Sequence, residues 1–345
     1  MRFPTLRIEQ LPKPLLCIPL VAQWLWLAAY YRSLTLPSSV NPSIETGGLA
    51  GESKSACLNQ IGPAFSAACV ATWRRIGPGE DPVACRRASG LEYPLIAKPD
   101  IGWCGYGVRR IEDDPGLAAY SASFPRHGGF ILQRLVTAPN EAGLFYIRVP
   151  GAAQGKVVAM TLRHAPQVTG DGRRELASLI ADGPRTRRHA GRYAMALSPA
   201  ALSRIPQAGE RVTLTTIASL RVGGRYEDAS AHVTDRLEAG VDAIARSMKD
   251  FHVGRFDVRF ESLAALGNGE FSIIEVNGAG SEAIHFWDPT LSMRAAFAGV
   301  FAKQRLLFQL GARMRSMGHA PVGIAALARA WLRQQRLIAR YPASN

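Results

Sequence analysis

The chain has 345 residues, of which 47% are hydrophobic and 20% charged; this mix supports two or three domains or one large α/β body and excludes a disulfide-stapled miniprotein and long-range disorder. Against 27 Asp and Glu stand 41 Lys and Arg, a net charge of +14, which favours contact with a nucleic acid, an anionic membrane or a phosphorylated ligand. The five cysteines are odd in number and contain no C-x-x-C pair, which fits idle thiols in a reducing compartment.

The opening stretch, Met1–Pro14, contains Glu9 and shows no small-residue cleavage site, so no cleavable signal is expected. The first apolar run, LLCIPLVAQWLWLAAYY at 15–31, is at the short end for crossing hydrocarbon. A spanning helix, an interfacial helix and a helix packed on its own domain all remain open. Residues 33–53 are rich in turn formers and predict an ordered surface loop. Lys54–Arg75 reads as helical, broken near Gly62–Pro63, and GPGEDP at 77–82 punctuates the chain.

LEYPLIAKPD at 91–100 predicts a strand with Lys98 near its end, followed by a glycine turn through Gly102, Gly105 and Gly107 and a resumed strand at Val108–Ile111. GGFILQRLV at 128–136 is a further strand, and 143–150 with 155–165 reads as a hairpin turning at AAQG. VTGDGRRELASLIAD passes from glycine loop into helix; 211–221 predicts a strand and 234–249 an amphipathic helix. Strands at 254–261 and 270–276, joined by a short polar turn centred near residue 266, would place Asp257 opposite Glu275. Alternation then turns Asn277 to the same side as Glu275.

No acidic residue follows Asp288, whereas nine Lys and Arg do. Within 324–340, Arg329, Arg333, Arg336 and Arg340 recur at helical spacing, with Trp331, Leu332 and Leu337 around the other sides; this is the pattern of a basic amphipathic helix. A solvated helix face would show the same spacing.

Two groups of residues carry chemistry on their own account. Asp257, Glu275 and Asn277 offer three oxygen donors to a hard cation such as Mg²⁺, although solvated strand ends use the same residue types. Gly102, Gly105 and Gly107, with Lys98 beside them, suit a loop whose N–H groups cradle phosphate. Their spacing is neither the phosphate-loop nor the dinucleotide signature, and a tight hairpin would use the same glycines.

In combined order, YPLIAKP with DIGWCGYGV, FILQRLV, VTGDGRRELASLIAD, and GRFDVRF with FSIIEVNGAG resemble the ATP-grasp superfamily. Within it, they resemble the D-alanine–D-alanine ligase-like carboxylate–amine ligases, over about residues 54–290. The resemblance implies an α+β fold in which two α/β subdomains sandwich the nucleotide. Here that fold would carry an atypical helical amino-terminal region (1–53), an ATP-grasp region (54–290) and a basic helical carboxy-terminal region (291–345).

The resemblance also implies roles residue by residue. Lys98 and Lys54 look like the phosphate-side lysines, Gly102, Gly105 and Gly107 like the flexible lid, and Asp257, Glu275 and Asn277 like the magnesium ligands. Arg255 resembles the arginine that steadies the phosphoryl group or tetrahedral intermediate. Gln133 stands where the family commonly has an acidic residue facing the adenine amine, Leu135 would supply hinge backbone contacts, and Glu141 would accept from the ribose. His285 and Glu282 are candidates to face an acceptor amine, and Arg148 and Arg163 to bind an anionic substrate. Asn41, Glu45, Thr46 and Gly47–Gly48 are candidates to shape the acceptor pocket.

The implied activity is an ATP- and Mg²⁺-dependent ligase joining a small-molecule carboxylate to an amine through an acylphosphate, on a cell-envelope or polymer precursor. The cysteine usage, the arginine stripe of 324–340 and the apolar run 15–31 point to the cytoplasm, with peripheral attachment to the inner face of a membrane. A small-molecule kinase, a non-catalytic nucleotide binder and a basic membrane- or nucleic-acid-associated module stay open as alternatives. Nucleic acid is the weakest of these, because the charge comes without interleaved aromatics or a helix-turn-helix.

Overall fold

The alternation read in the apolar runs is realised in a computed structural model that describes residues 12–281 and 283–345. Most of the stretch read as lacking a cleavable signal, and Glu282, lie outside the described residues. The strands are β1 (Trp73–Ile76), β2 (Leu95–Pro99), β3 (Arg109–Ile111), β4 (Phe130–Arg134), β5 (Asn140–Ile147), β6 (Lys156–His164), β7 (Gln167–Thr169), β8 (Arg211–Thr213), β9 (Arg225–Asp228), β10 (Val253–Phe260) and β11 (Ser272–Asn277). They form a four-stranded sheet of order β1-β4-β2-β3, a five-stranded sheet of order β11-β10-β5-β6-β9 and a β7-β8 ladder. The fold is α+β, with a helical amino-terminal region.

The chain divides into two units: Met1–Ala71, Val136–Leu162 and Glu227–Arg336 form the first, and Thr72–Leu135, Arg163–Tyr226 and Leu337–Asn345 the second. In the second unit, Leu95 and Ala97 of β2 and Phe130 and Leu132 of β4 enter one core with Leu117, Tyr120 and Phe124. Because side chains alternate, Lys98 and Gln133 are left on the opposite face of that sheet. A smaller core of Val168, Leu176, Leu179, Ile180, Tyr193 and Leu214 lies under the β7-β8 ladder.

In the first unit, Phe145, Ala159, Val253 and Ala279 pack with Val40, Leu307 and Leu310. Helix Lys13–Tyr30 docks on helix Met293–Ser316, with Leu27 against Leu36 and Phe308 and the Trp24 ring edge-on to Phe308 at 5.0 Å. Packing on its own domain, one of the three placements open for the first apolar run, is therefore present, while Leu15, Ile18, Leu25 and Trp26 of the same helix stay exposed. Among the described residues no helix is long and apolar enough to cross a membrane.

Several elements differ from expectation. Residues 33–53 are no surface loop: they form short 3₁₀ turns at Leu36–Ser39 and Glu45–Gly48, and Thr35 through Asn41 are buried. The polar composition misled because those groups bond inward, as Asn41 does to the Val253 carbonyl at 2.7 Å. Arg75 belongs to β1, not to a helix, and the 211–221 strand shrinks to Arg211–Thr213. A helical turn, Leu263–Gly267, replaces the tight turn between β10 and β11. The last helix ends at Ile338 and docks through Ala330 and Gln334, so Arg340 falls beyond the stripe.

Candidate functional site

On the face of the four-stranded sheet turned away from that core, Lys98 lies one step diagonal to Gln133, because Ile96 is the residue directly opposite Gln133. The buried Lys98 ammonium donates to Gln133 Oε1 at 2.7 Å, a charge-assisted bond that satisfies a cation otherwise costly to bury. Leu135 follows directly after β4. The glycine turn joins β2 to β3, with Gly105 and Gly107 at positive φ values of 72° and 71°; a side chain would be strained at either.

A residue that the sequence reading passed over organises this turn. Arg221 donates to the carbonyls of Cys104 and Gly105 at 2.8 and 2.9 Å and lies 4.1 Å from the Tyr106 ring centroid. The Tyr106 amide bonds to the Trp103 carbonyl and the Gly107 amide to Ser344 Oγ, so in this conformation those two N–H groups are used within the protein. Only chain distance hides Arg221, which stands 116 residues from Gly105.

In the first unit, Asp257 stands directly opposite Glu275, and Arg255 opposite Asn277. Opposed residues of an antiparallel pair share a face, so all four project together. The Arg255 guanidinium forks onto Asp257 at 2.6 and 3.0 Å, and the Asn277 amide reaches Asp257 at 3.4 Å. Asp257 is only 1% exposed, a burial that a carboxylate tolerates when cations and N–H donors surround it. Lys54, itself buried, pairs with Glu275 at 3.3 Å.

Gly143 makes room for this fork: it lies opposite Asp257 on β5, and a Cβ there would come within 2.8 Å of Arg255 Cδ. Glu141, on the same strand opposite Arg259, pairs with it at 3.2 Å.

Beyond β11 the backbone itself becomes the surface. Gly47 and Gly48 accept from the amides of Ala279 and Gly280 at 3.0 and 2.9 Å, and a Cβ on Gly48 would come within 2.5 Å of Gly278 Cα. The neighbouring Glu52 accepts from the Gly278 N–H at 2.8 Å. Glu52 keeps a partly exposed edge but is otherwise enclosed, and that enclosure raises its carboxyl from 4.5 to about 7. The Gly278 N–H and Lys54 oppose the rise, while Glu275 adds to it. Glu52 was missed although it is two residues from Lys54, because nothing in GESK marks a carboxylate that will meet a strand end more than 200 residues later.

The remaining candidates separate. His285 is half-buried; among the described residues its Nδ1 has no hydrogen-bond partner, and burial lowers its pKa. Asn41 is fully buried and holds the amides of His252 and Val253 at 2.8 and 3.1 Å, a structural task. Thr46 closes its own turn through the Ala50 carbonyl, and Glu45 pairs with Arg333 at 2.7 Å. Arg148 and Arg163 donate to the carbonyls of Phe251 and Ala218.

Among the described residues no three His, Cys, Asp or Glu side chains converge. A divalent ion at β10-β11 would therefore take Asp257, Glu275 and the Asn277 amide oxygen, with further places filled by substrate oxygens. That all-oxygen set fits Mg²⁺.

No protein-family model and no curated protein sequence matches the chain. Among solved structures, a D-alanine–D-alanine ligase from Bacillus anthracis is 13% identical with a TM-score of 0.46, covering 80% of this chain and 71% of its own. VanG D-Ala:D-Ser ligase from Enterococcus faecalis is 13% identical with a TM-score of 0.42, covering 77% and 63%. A bifunctional glutathione synthetase from Pasteurella multocida is 14% identical with a TM-score of 0.37; the match covers 72% of this chain and 36% of the synthetase.

Proposed function

We propose that the protein is an ATP-dependent, Mg²⁺-requiring ligase that joins a carboxylate to an amine. The observation that carries this reading is the register that sets Asp257 against Glu275 on one face, with Arg255 and Lys54 paired to them. Two carboxylates, an amide and one cation on one strand pair, met by Lys54 from the helix Lys54–Asn59, suit the handling of phosphoryl oxygens better than packing, which would have used apolar side chains at less cost.

In this reading Asp257, Glu275 and Asn277 hold the Mg²⁺, which when bound offsets the charge of the phosphate oxygens. Lys98 supplies a point charge to the nucleotide phosphates, and Gln133 and Leu135 take the adenine edge, with Glu141 on the ribose. Lys54 and Arg255 meet the transferring phosphoryl group. A carboxylate oxygen of the substrate attacks the γ-phosphorus, the bond to the ADP oxygen breaks, and an acylphosphate forms. The amine nitrogen then attacks the acyl carbon, phosphate leaves with the bonding pair, and the surplus amine proton passes to solvent or a nearby base. The 102–107 glycine turn, by covering the nucleotide, limits hydrolysis of the acylphosphate.

The deciding experiment screens purified protein against carboxylates and amines, reading ADP and phosphate release with mass spectrometry of the product. ADP release that needs both partners and yields an amide supports the ligase. Release that needs one substrate and leaves it phosphorylated would assign a kinase.

One observation favours a second property, adsorption to an anionic bilayer. The outward side of helix Lys13–Tyr30 exposes Leu15, Ile18, Leu25, Trp26 and Tyr30, an apolar strip of the kind that settles at a membrane interface. The exposed arginines of the last helix would add attraction to anionic headgroups.

A further inference from the structure

The glycine turn between β2 and β3 is held by a segment remote in sequence. Residues 341–345 belong to the second unit, as the turn does, and they bond to it at its entry, middle and exit. At the entry the Tyr341 hydroxyl donates to the Ile101 carbonyl, and the Tyr341 ring stacks on Phe124 at 5.1 Å. At the exit the Asn345 amide donates to the Val108 carbonyl at 3.3 Å, and Asn345 Oδ1 accepts from the Arg110 amide at 2.9 Å. The Asn345 carbonyl accepts in turn from Thr216 Oγ1 at 3.0 Å.

Ser344 holds the middle. Its hydroxyl donates to the Gly105 carbonyl at 2.8 Å and accepts from the Gly107 amide at 3.1 Å. Packing is close there too: a Cβ on Gly107 would come within 3.1 Å of Tyr341 Cβ and 2.8 Å of Pro99 Cγ. A connection rich in glycine has many conformations open to it, so bonds spread along its whole length decide which one it takes. The Gly107 N–H is also one of the donors that such a turn offers to a phosphate oxygen. Ser344 already occupies it.

We infer that residues 341–345 form an autoinhibitory strap, which fixes the glycine turn in this conformation so that a nucleotide phosphate takes the Gly107 amide only by displacing Ser344. The inference rests on the nucleotide reading of the turn for the identity of the competitor, not for the strap itself. Coupling between two binding events is reciprocal, so bound nucleotide weakens the strap by the factor that the strap takes from nucleotide affinity.

Ser344→Ala is the deciding variant. It removes the hydroxyl, while the Gly105 carbonyl keeps its bond from Arg221 at 2.9 Å, so within the turn the Gly107 amide is the group set free. Calorimetry with Mg·ATP on the full chain reads the competition. Ser344→Ala should bind about two- to tenfold tighter than wild type, the range of one neutral hydrogen bond. Ser344→Thr, which keeps a hydroxyl, should return to the wild-type value. Amide exchange followed by NMR without nucleotide tests the strap on its own: the Gly107 amide should exchange faster in Ser344→Ala, and the Arg110 amide faster in Asn345→Ala. Circular dichroism of each variant checks the fold. Unchanged ATP affinity in Ser344→Ala would overturn the competition, and so would weaker affinity, which would mean that the strap prepares the turn for nucleotide. Unchanged exchange at both Gly107 and Arg110 would overturn the strap. Wild type that binds no ATP, with the exchange changes present, removes the nucleotide reading and the competition with it while the strap stands, so the two failures are told apart.

Discussion

Lys98 and Gln133, both buried, meet on the face of a sheet whose other face is core, the ammonium 2.7 Å from the side-chain oxygen. The bond orients Lys98 along the strand pair and leaves its charge on the side where a phosphate would be placed. Replacing Lys98 with Met keeps the apolar stem and removes the charge. ATP affinity should fall about 10- to 100-fold, the value of one charge-assisted contact. Calorimetry on folded wild type and variant checks it; unchanged affinity would take Lys98 out of the nucleotide site.

The Lys54–Glu275 pair makes a second prediction, in which function and stability come apart. Glu275→Gln removes one of the carboxylates around the buried Lys54 cation, so the variant should lose stability as well as Mg²⁺-dependent turnover. Adding Lys54→Met should recover part of the stability, because the under-compensated charge is gone, and none of the turnover. Urea melts and ADP release on the two single variants and the double variant complete the cycle. If the double variant regained turnover, the pair would be structural only.

Much of this site was legible because it is local. The β10-β11 register follows from strand alternation within twenty residues of Asp257, and the opposition of Asp257 to Glu275 holds despite a bulge after Asp257 and a helical turn where a tight one was expected. The β2 and β4 strands were legible for the same reason. What stayed hidden depends on partners remote in the chain: Glu52 on the Gly278 amide, Arg221 on the glycine turn, and Gly143 opposite Asp257. Residues 33–53 misled in the other direction, since turn formers that bond to a distant strand look the same as turn formers in water.

Glu52 makes the fold respond to pH. Its carboxyl sits at about 7 in the native state, raised from 4.5 chiefly by enclosure. Between those values the native protein binds more protons than the unfolded chain, so stability falls as pH rises. The contribution is complete below about 4.5 and is lost as pH passes through 7. Glu52→Gln, which keeps an oxygen for the Gly278 N–H, should flatten the decline. Urea midpoints of both proteins from pH 5 to 8, in buffer free of metal and nucleotide, measure it. Parallel pH profiles for wild type and variant would show that Glu52 does not titrate in this window.

Adsorption to membranes separates into an apolar part and a charged part, and the two parts predict different responses. Leu15, Ile18, Leu25 and Trp26 on the outward side of the first helix are each more than half exposed, and apolar insertion of this kind persists in high salt. Arg329 and Arg336 on the last helix and Arg340 just beyond it are exposed, whereas Arg333 is already met by Glu45. The useful charge variant therefore changes Arg329, Arg336 and Arg340 to Gln and leaves Arg333 in place, so that its ion pair is preserved. Each arginine near an anionic surface adds about 1 kcal/mol, so the triple variant should bind anionic phospholipid vesicles roughly 100-fold more weakly at low salt. Moderate salt should narrow the gap, because the screening length shrinks to about 8 Å at physiological ionic strength. Ile18→Glu with Trp26→Glu should instead weaken flotation at both low and high salt. Flotation of wild type that neither set of changes reduces would mean that the attachment surface lies elsewhere, and wild type that fails to float would leave the arginines as a solvated face and the outward strip of the first helix without a bilayer to meet.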